Sequence, residues 1–208
     1  MIKKIIFDLD DTLIPWRKTY YLNLKKVAKR HGIQLKLKEL AKIADSIDEY
    51  EHNYPNFSRK NVQKIVSEIS GITITDEILD SLIDWVSTCT PKIKNKRLMK
   101  TLDYLSGKYE LVVLTNFFTE AQDNRLKRYG IRKYFKEVYG ADLHSKPNKA
   151  AYIMAANKTK LADCLVVGDN LINDYEKPIE LGMEAIWLTK EKTTKRSIKN
   201  INDLRRVL

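Results

Sequence analysis

The chain has 208 residues, room for one large domain or for a main domain carrying a small insert. Lysine and arginine outnumber acidic residues 38 to 27, and the net +11 favours anionic partners such as phosphorylated metabolites, nucleic acid or anionic lipid. No stretch approaches the roughly 20 apolar residues of a membrane span. Cys89 and Cys164 show no metal-ligand spacing and read as buried or free thiols of a reducing compartment.

Residues 2–8 read as a buried strand, an apolar run that ends in Asp8, Asp10 and Asp11. Asp8 ends the run too soon for a secretory leader, and a cytoplasmic protein is expected. Asp8 and Asp10 sit two apart, so in extended backbone they point to one side. Clustered carboxylates at the end of a buried strand are unfavourable unless a cation compensates them.

From about Trp16 to Cys89 the pattern is helical. Leu24, Val27 and Ala28 share a face, a second helix is expected from about Lys36 to Glu49, and Val62, Ile65, Val66 and Ile69 form a stripe between Ser58 and Gly71. Ile78, Leu79, Leu82, Ile83 and Val86 form another, opened by Thr75. Trp85 and Trp187 are expected in the core, and Tyr20 and Tyr21 in packing within this helical block.

After Pro91, a helix from about Asn95 precedes an apolar strand over residues 110–115. Thr119 to Gln122 reads as a capping box opening a helix that stops at Gly130. Short strands are predicted at 137–140, 164–168 and 185–188, with helices at 148–157, before Gly182 and in the tail. Strands alternating with helices imply a Rossmann-like parallel α/β sheet flanked by helices. The expected division is an α/β core of residues 1–15 and 90–208 and a small all-helical cap of residues 16–89.

In one parallel sheet the strand ends converge on one edge. They would gather Asp8, Asp10, Thr115, Asn116, Lys146, Asp169 and Asp174. Carboxylates hold a hard divalent cation such as Mg²⁺, and the cation, a lysine and hydroxyl or backbone donors clamp a phosphoryl group. A carboxylate beside the bound phosphorus can attack it.

The pattern Asp8-x-Asp10-x-Thr12, Thr115 after an apolar strand, Lys146 before a proline, and Asp169-x-x-x-x-Asp174 resembles the haloacid dehalogenase-like hydrolases. The helical block resembles that family's cap inserted after the first motif. The resemblance implies that Asp8 is a nucleophile forming an aspartyl-phosphate, and that Asp10 is general acid and then base. It implies Mg²⁺ ligation by Asp8, the backbone carbonyl of Asp10 and Asp169, with Asp174 supporting. Thr115 and the backbone near Asn116 would hold phosphate oxygens, Lys146 would neutralise charge, and Thr12 would orient Asp10 and shape the turn. A carboxylate at Asp10 points to the phosphatases of the family, because the family's dehalogenases generally lack it. Asp11 is expected in the turn, facing away from the metal. Trp16, Arg17 and Tyr54 are candidate specificity residues, and the expected substrate is a small phosphorylated metabolite.

Two other readings compete. A receiver-like phospho-signalling module shares the clustered acids but lacks the helical insert. A basic nucleic-acid-binding protein rests on charge alone, with no recognised motif.

Overall fold

In the computed structural model, which describes residues 1–53 and 57–208, the opening apolar run forms strand β1 (Lys4–Phe7). Four helices follow: α1 (Tyr21–Arg30), α2 (Leu37–Asn53), α3 (Arg59–Ser70) and α4 (Asp76–Thr88). The Ser58 hydroxyl accepts from the Asn61 N–H at 3.2 Å, and Gly71 leaves α3 at φ 67°, where glycine is favoured. Thr75 opens α4 by accepting from the Ile78 N–H at 3.3 Å. Helix α2 runs beyond its expected end near Glu49 because its buried stripe, Leu40, Ile43, Ala44 and Ile47, continues at helical spacing to Tyr50.

The chain then alternates: α5 (Lys96–Ser106), β2 (Glu110–Leu114), α6 (Thr119–Tyr129), β3 (Glu137–Tyr139), α7 (Lys149–Ala156) and β4 (Cys164–Gly168). A π-helical turn (Leu171–Glu176) leads into α8 (Lys177–Glu180), followed by β5 (Glu184–Leu188), β6 (Ser197–Ile198) and α9 (Leu204–Val207). β6 is a strand beyond the last one expected; at two residues it is too short to carry a sequence period.

The sheet is parallel, in the order β3-β2-β1-β4-β5-β6. Phe7 is level with Val113 on one side and Val167 on the other. Chain order therefore reverses at β1, and the residues following β1, β2 and β4 meet at one carboxyl edge, where open α/β sheets bind ligands. Ile5 and Phe7 pack under Leu98, Leu102 and Leu126 of α5 and α6, while Ile6, Val112 and Val166 pack on Ala151, Tyr152 and Ala155 of α7. Each fully buried side chain of this kind contributes about 1.5–3 kcal/mol. Buried Lys4 breaks the apolar run for a local reason: its ammonium donates to the Ala156 carbonyl at 2.7 Å, satisfying the end of α7, and pairs with Glu110 at 2.9 Å.

Helices α1–α4 enclose an apolar cluster of their own, which includes Leu24, Leu40, Val62 and Leu79. It joins the sheet through aromatic contacts: Phe57 meets Phe117 and Phe118 edge-on, with centroids at 5.8 and 5.0 Å.

Candidate active site

The Asp8 N–H continues the ladder by donating to the Val167 carbonyl at 3.0 Å, which sets its side chain at the sheet edge. Oxygen atoms of Asp8, Asp169 and Asp174 lie within 4.8 Å of one another. Asp174 comes from the π-helical turn, whose start is capped by the Asn170 side chain accepting from the Ile172 and Asn173 N–H groups at 3.1 and 2.9 Å. The Asn170 N–H donates to Asp174 Oδ2 at 3.1 Å. A Cβ on Gly168 would come within 2.2 Å of that oxygen, so only glycine lets the carboxylate cross the end of β4.

Lys146 is buried among these acids. Its ammonium donates to Asp8 Oδ1 at 2.8 Å and to Asp174 Oδ1 at 2.6 Å. Asn116 braces it: the side chain accepts from the Lys146 N–H at 3.0 Å and donates to the Lys146 carbonyl at 3.3 Å. Thr115, buried at the end of β2, receives the Gln122 amide at 3.2 Å and donates to the Asn116 carbonyl at 3.3 Å.

Asp10 is held differently. Its two carboxylate oxygens accept from Arg125 Nη1 and, at 3.0 Å, from Gln122 Nε2. That leaves its backbone carbonyl for the ligand role implied by the family pattern. Gln122 and Arg125 stand one turn apart on α6, the spacing that puts two side chains on one face. Arg125 is fully buried, donates through Nε to the Cys89 carbonyl at 2.5 Å, and lies 5.2 Å from the Trp16 ring. It thereby ties Asp10 to both segments that connect the helical block.

Two expectations need correction. Thr12, expected to orient Asp10, donates to Asp169 Oδ1 at 3.2 Å, because Asp11 turns the chain with φ 54° and carries Thr12 towards β4. Asp11 itself accepts from the Trp16 N–H at 2.7 Å and closes the turn. The capping box is also replaced: Phe118 is the residue before α6, the Thr119 hydroxyl donates to Asp142 Oδ1 at 2.7 Å, and Gln122 serves Asp10.

A cavity of about 600 Å³ opens over this edge. Asp8, Asp10, Thr115, Asn116, Lys146, Asp169 and Asp174 all line it, as does Trp16. Arg17 is exposed and is not among the lining residues; Tyr54 lies outside the described residues. The opposite wall comes from the helices and includes Tyr21, Asp48, Glu51 and Trp85. Trp85, expected as core, is both buried and cavity-lining. Gln122, Arg125, Asp48 and Glu51 are absent from the motif reading. One signal was available for two of them: the buried stripe of α6, Ala121, Gln122, Arg125, Leu126 and Tyr129, has helical spacing with two polar intruders.

Residues 2–176 match the family model described as haloacid dehalogenase-like hydrolase. The chain belongs to this family. A 5-amino-6-(5-phospho-D-ribitylamino)uracil phosphatase of Escherichia coli is 35% identical over 95 residues, which is 44% of this chain and 38% of that protein. A glyceraldehyde 3-phosphate phosphatase of Methanopyrus kandleri is 23% identical over 98% of this chain and 91% of its own length. Among solved structures, a HAD-hydrolase of Bacillus subtilis bound to magnesium superposes with TM-score 0.70 at 16% identity, covering 99% of this chain and 98% of that one. At that identity the likeness concerns the fold.

As in other haloacid dehalogenase-like hydrolases that use a divalent metal, the donor set here is hard oxygen. Three carboxylates meeting at one point fit Mg²⁺. Their electrostatics fit a cation as well. Burial raises Asp8 above the carboxylate range, Lys146 opposes this, and Asp174 and Asp169 add to it. Asp169 is raised from 3.8 to about 6, by burial first and then by Asp174. Burial alone would depress Lys146, but Asp174 and Asp8 overcome it and hold the ammonium above its ordinary range.

A pH dependence follows. Between pH 3.8 and about 6 the metal-free folded protein keeps a proton at Asp169 that the unfolded chain has released. Its stability therefore falls as pH rises through that window, and Asp8 extends the fall upward. A divalent cation at these carboxylates would compete with the protons, so any stabilising effect of Mg²⁺ should grow with pH. Urea midpoints with Mg²⁺ and with chelator, at about pH 5 and about pH 7.5, measure this; an equal Mg²⁺ effect at both would contradict it.

Proposed function

We propose that the protein is a Mg²⁺-dependent phosphatase that hydrolyses a small phosphorylated metabolite through an aspartyl-phosphate at Asp8. One observation carries the reading: the Lys146 ammonium joins Asp8 and Asp174 beside buried Thr115, in a cavity that also contains Asp10. The named phosphatases among its relatives support it.

The bound Mg²⁺ would neutralise the phosphate and the surrounding carboxylates, held by Asp8, Asp169 and Asp174 with the Asp10 carbonyl. An Asp8 oxygen forms a bond to phosphorus as the ester P–O bond breaks. The leaving alkoxide takes its proton from Asp10. Asp10 then accepts a proton from water as that water attacks the phosphorus, releasing inorganic phosphate and regenerating Asp8. Thr115 and Lys146 hold the phosphate oxygens through these steps. Residues 16–89 act as a cap over the core of residues 1–15 and 90–208, excluding water and contacting the leaving group.

The test is phosphate release from a panel of phosphomonoesters with Mg²⁺ and with chelator, followed by acid quenching. The reading requires metal dependence and a hydroxylamine-labile acyl phosphate. Activity that survives thorough chelation, or turnover without that adduct, would refute it.

Arg125 is a positioning residue in this scheme. Arg125→Met is expected to slow alkyl phosphates about 10²-fold, within the range of a general acid's contribution, and p-nitrophenyl phosphate much less, because nitrophenolate leaves without a proton. The ratio of the two rates is the readout. A merely less stable protein would lose both equally.

A further inference from the structure

Phe117 is held in a backbone conformation that favours glycine. It follows Thr115 and Asn116 at the end of β2, and its φ is 113°, a region that bulky side chains rarely adopt. Such a residue persists only where its surroundings over-determine it. Here the segment after β3 does so. The Ala141 N–H donates to the Phe117 carbonyl at 2.8 Å, and the Thr119 N–H donates to Asp142 Oδ1 at 2.7 Å. The Gly140 N–H donates to the Thr119 hydroxyl at 3.0 Å, and the Thr115 N–H to the Tyr139 carbonyl at 3.0 Å.

The ring placed in this way serves two surfaces. It meets Phe57 and Phe118 edge-on, with centroids at 5.8 and 5.3 Å, within the apolar cluster of helices α1–α4. It also lines the cavity, as do Ala44 and Ile47 of α2, which belong to that cluster. Phe118, in the same cluster, is not among the lining residues.

We infer that Phe117 sets the width of leaving group the site accepts, so that the substrate carries its phosphate on a slender alcohol with no branch or fused ring next to the ester oxygen. The inference rests on the phosphatase reading above, because the phosphate must sit at Thr115 and Lys146 for the leaving group to pass this ring.

A glycine at position 117 would take the same backbone freely and leave that corner of the cavity open. The chain instead fills it with an aromatic ring two residues from Thr115. The ring is 3% exposed and packed on Phe57 and Phe118, so it does not swing aside without disrupting the cluster behind it. On the other side of the turn, Asn116 bonds both the N–H and the carbonyl of Lys146, which fixes the ring relative to the ammonium. A wall so braced rejects an overlapping group by steric clash, the repulsive element on which specificity often depends.

Phe117→Gly is the matching variant, because glycine suits the turn and removes the ring. The probes are p-nitrophenyl phosphate, with one ring, and 1-naphthyl phosphate, whose fused ring lies beside the ester oxygen. The readout is kcat/KM for the naphthyl ester divided by that for the nitrophenyl ester, with Mg²⁺, in variant relative to wild type; intrinsic reactivity cancels in that comparison. The quotient should rise about tenfold or more in Phe117→Gly. Naphthyl turnover that is undetectable in wild type and present in the variant counts as that rise. If circular dichroism shows that Phe117→Gly does not fold, Phe117→Leu replaces it, with a rise of about threefold or more expected. Phe118→Leu loosens the packing on Phe57 without changing the cavity lining, and its quotient should stay within about twofold of wild type. A ring that only docked the helical block would slow both esters alike and leave the quotient where it was. An unchanged quotient in a folded Phe117 variant overturns the inference, as does an equal rise in Phe118→Leu. If wild type hydrolyses p-nitrophenyl phosphate while either of those results is obtained, this inference alone fails. If wild type hydrolyses neither ester with Mg²⁺, the phosphatase reading fails and takes the inference with it.

Discussion

Asp8→Asn should lower phosphate release by on the order of 10⁴-fold or more, since the amide offers no nucleophilic oxygen and the scheme has no substitute for it. The same substitution should leave the metal-free protein as stable as wild type, or more stable. Asp8 is buried, and burial, Asp174 and Asp169 all disfavour its charged form, so a neutral isostere removes an unfavourable interaction. Lys146 keeps Asp174 as a partner in that variant. Loss of turnover without loss of stability is the signature of a group retained for chemistry and held at some expense to the fold. Initial rates with Mg²⁺ and urea titration with chelator measure the two halves. Residual activity above about one part in a hundred, in protein free of wild-type contamination, would remove Asp8 from the nucleophile's role.

Lys146→Met should act in the opposite pattern, on stability and activity together. The ammonium is the shared partner of two carboxylates that are both nearly inaccessible to water. Removing it leaves buried acids facing each other, and breaking such a pair typically destabilises by about 3–5 kcal/mol. The loss should be fully visible in chelator and smaller with saturating Mg²⁺, because a divalent cation held by Asp8, Asp169 and Asp174 would supply the missing positive charge. Urea midpoints that match wild type in chelator would show that the Lys146 pairings carry no net stability. Turnover should also fall, since the phosphate loses its fixed ammonium.

The two substitutions together separate what holds the edge from what reacts there. In the proposed scheme Asp8 would supply the nucleophile at an electrostatic cost to the fold, and Lys146 would offset that cost and steady the phosphate. The Asn116 bridge to the Lys146 peptide and the absence of a side chain at Gly168 are the local conditions that let both groups reach one point.

Much of this was legible in the chain. Apolar runs bounded by glycine and polar residues announce a parallel sheet, because strands buried on both faces must be continuously apolar. Polar residues at the ends of those runs, Asp8, Thr115 and Asp169, with Lys146 in the loop that follows β3, then fall at one edge by topology, and the four-part pattern places the chain in its family. What no local pattern contains is the partner of each group. Arg125 is one basic residue among 38 until the packing of α6 beneath the first loop delivers it to Asp10. Thr12 serves Asp169 and not Asp10 because of a backbone turn at Asp11, and Asp48 and Glu51 face the site only because α2 folds back over the sheet. Periodicity and charge spacing act along the chain and so determine elements, their order and the edge where they meet. Pairings between residues more than a hundred positions apart depend on how whole helices dock, and that is decided by the joint packing of the core.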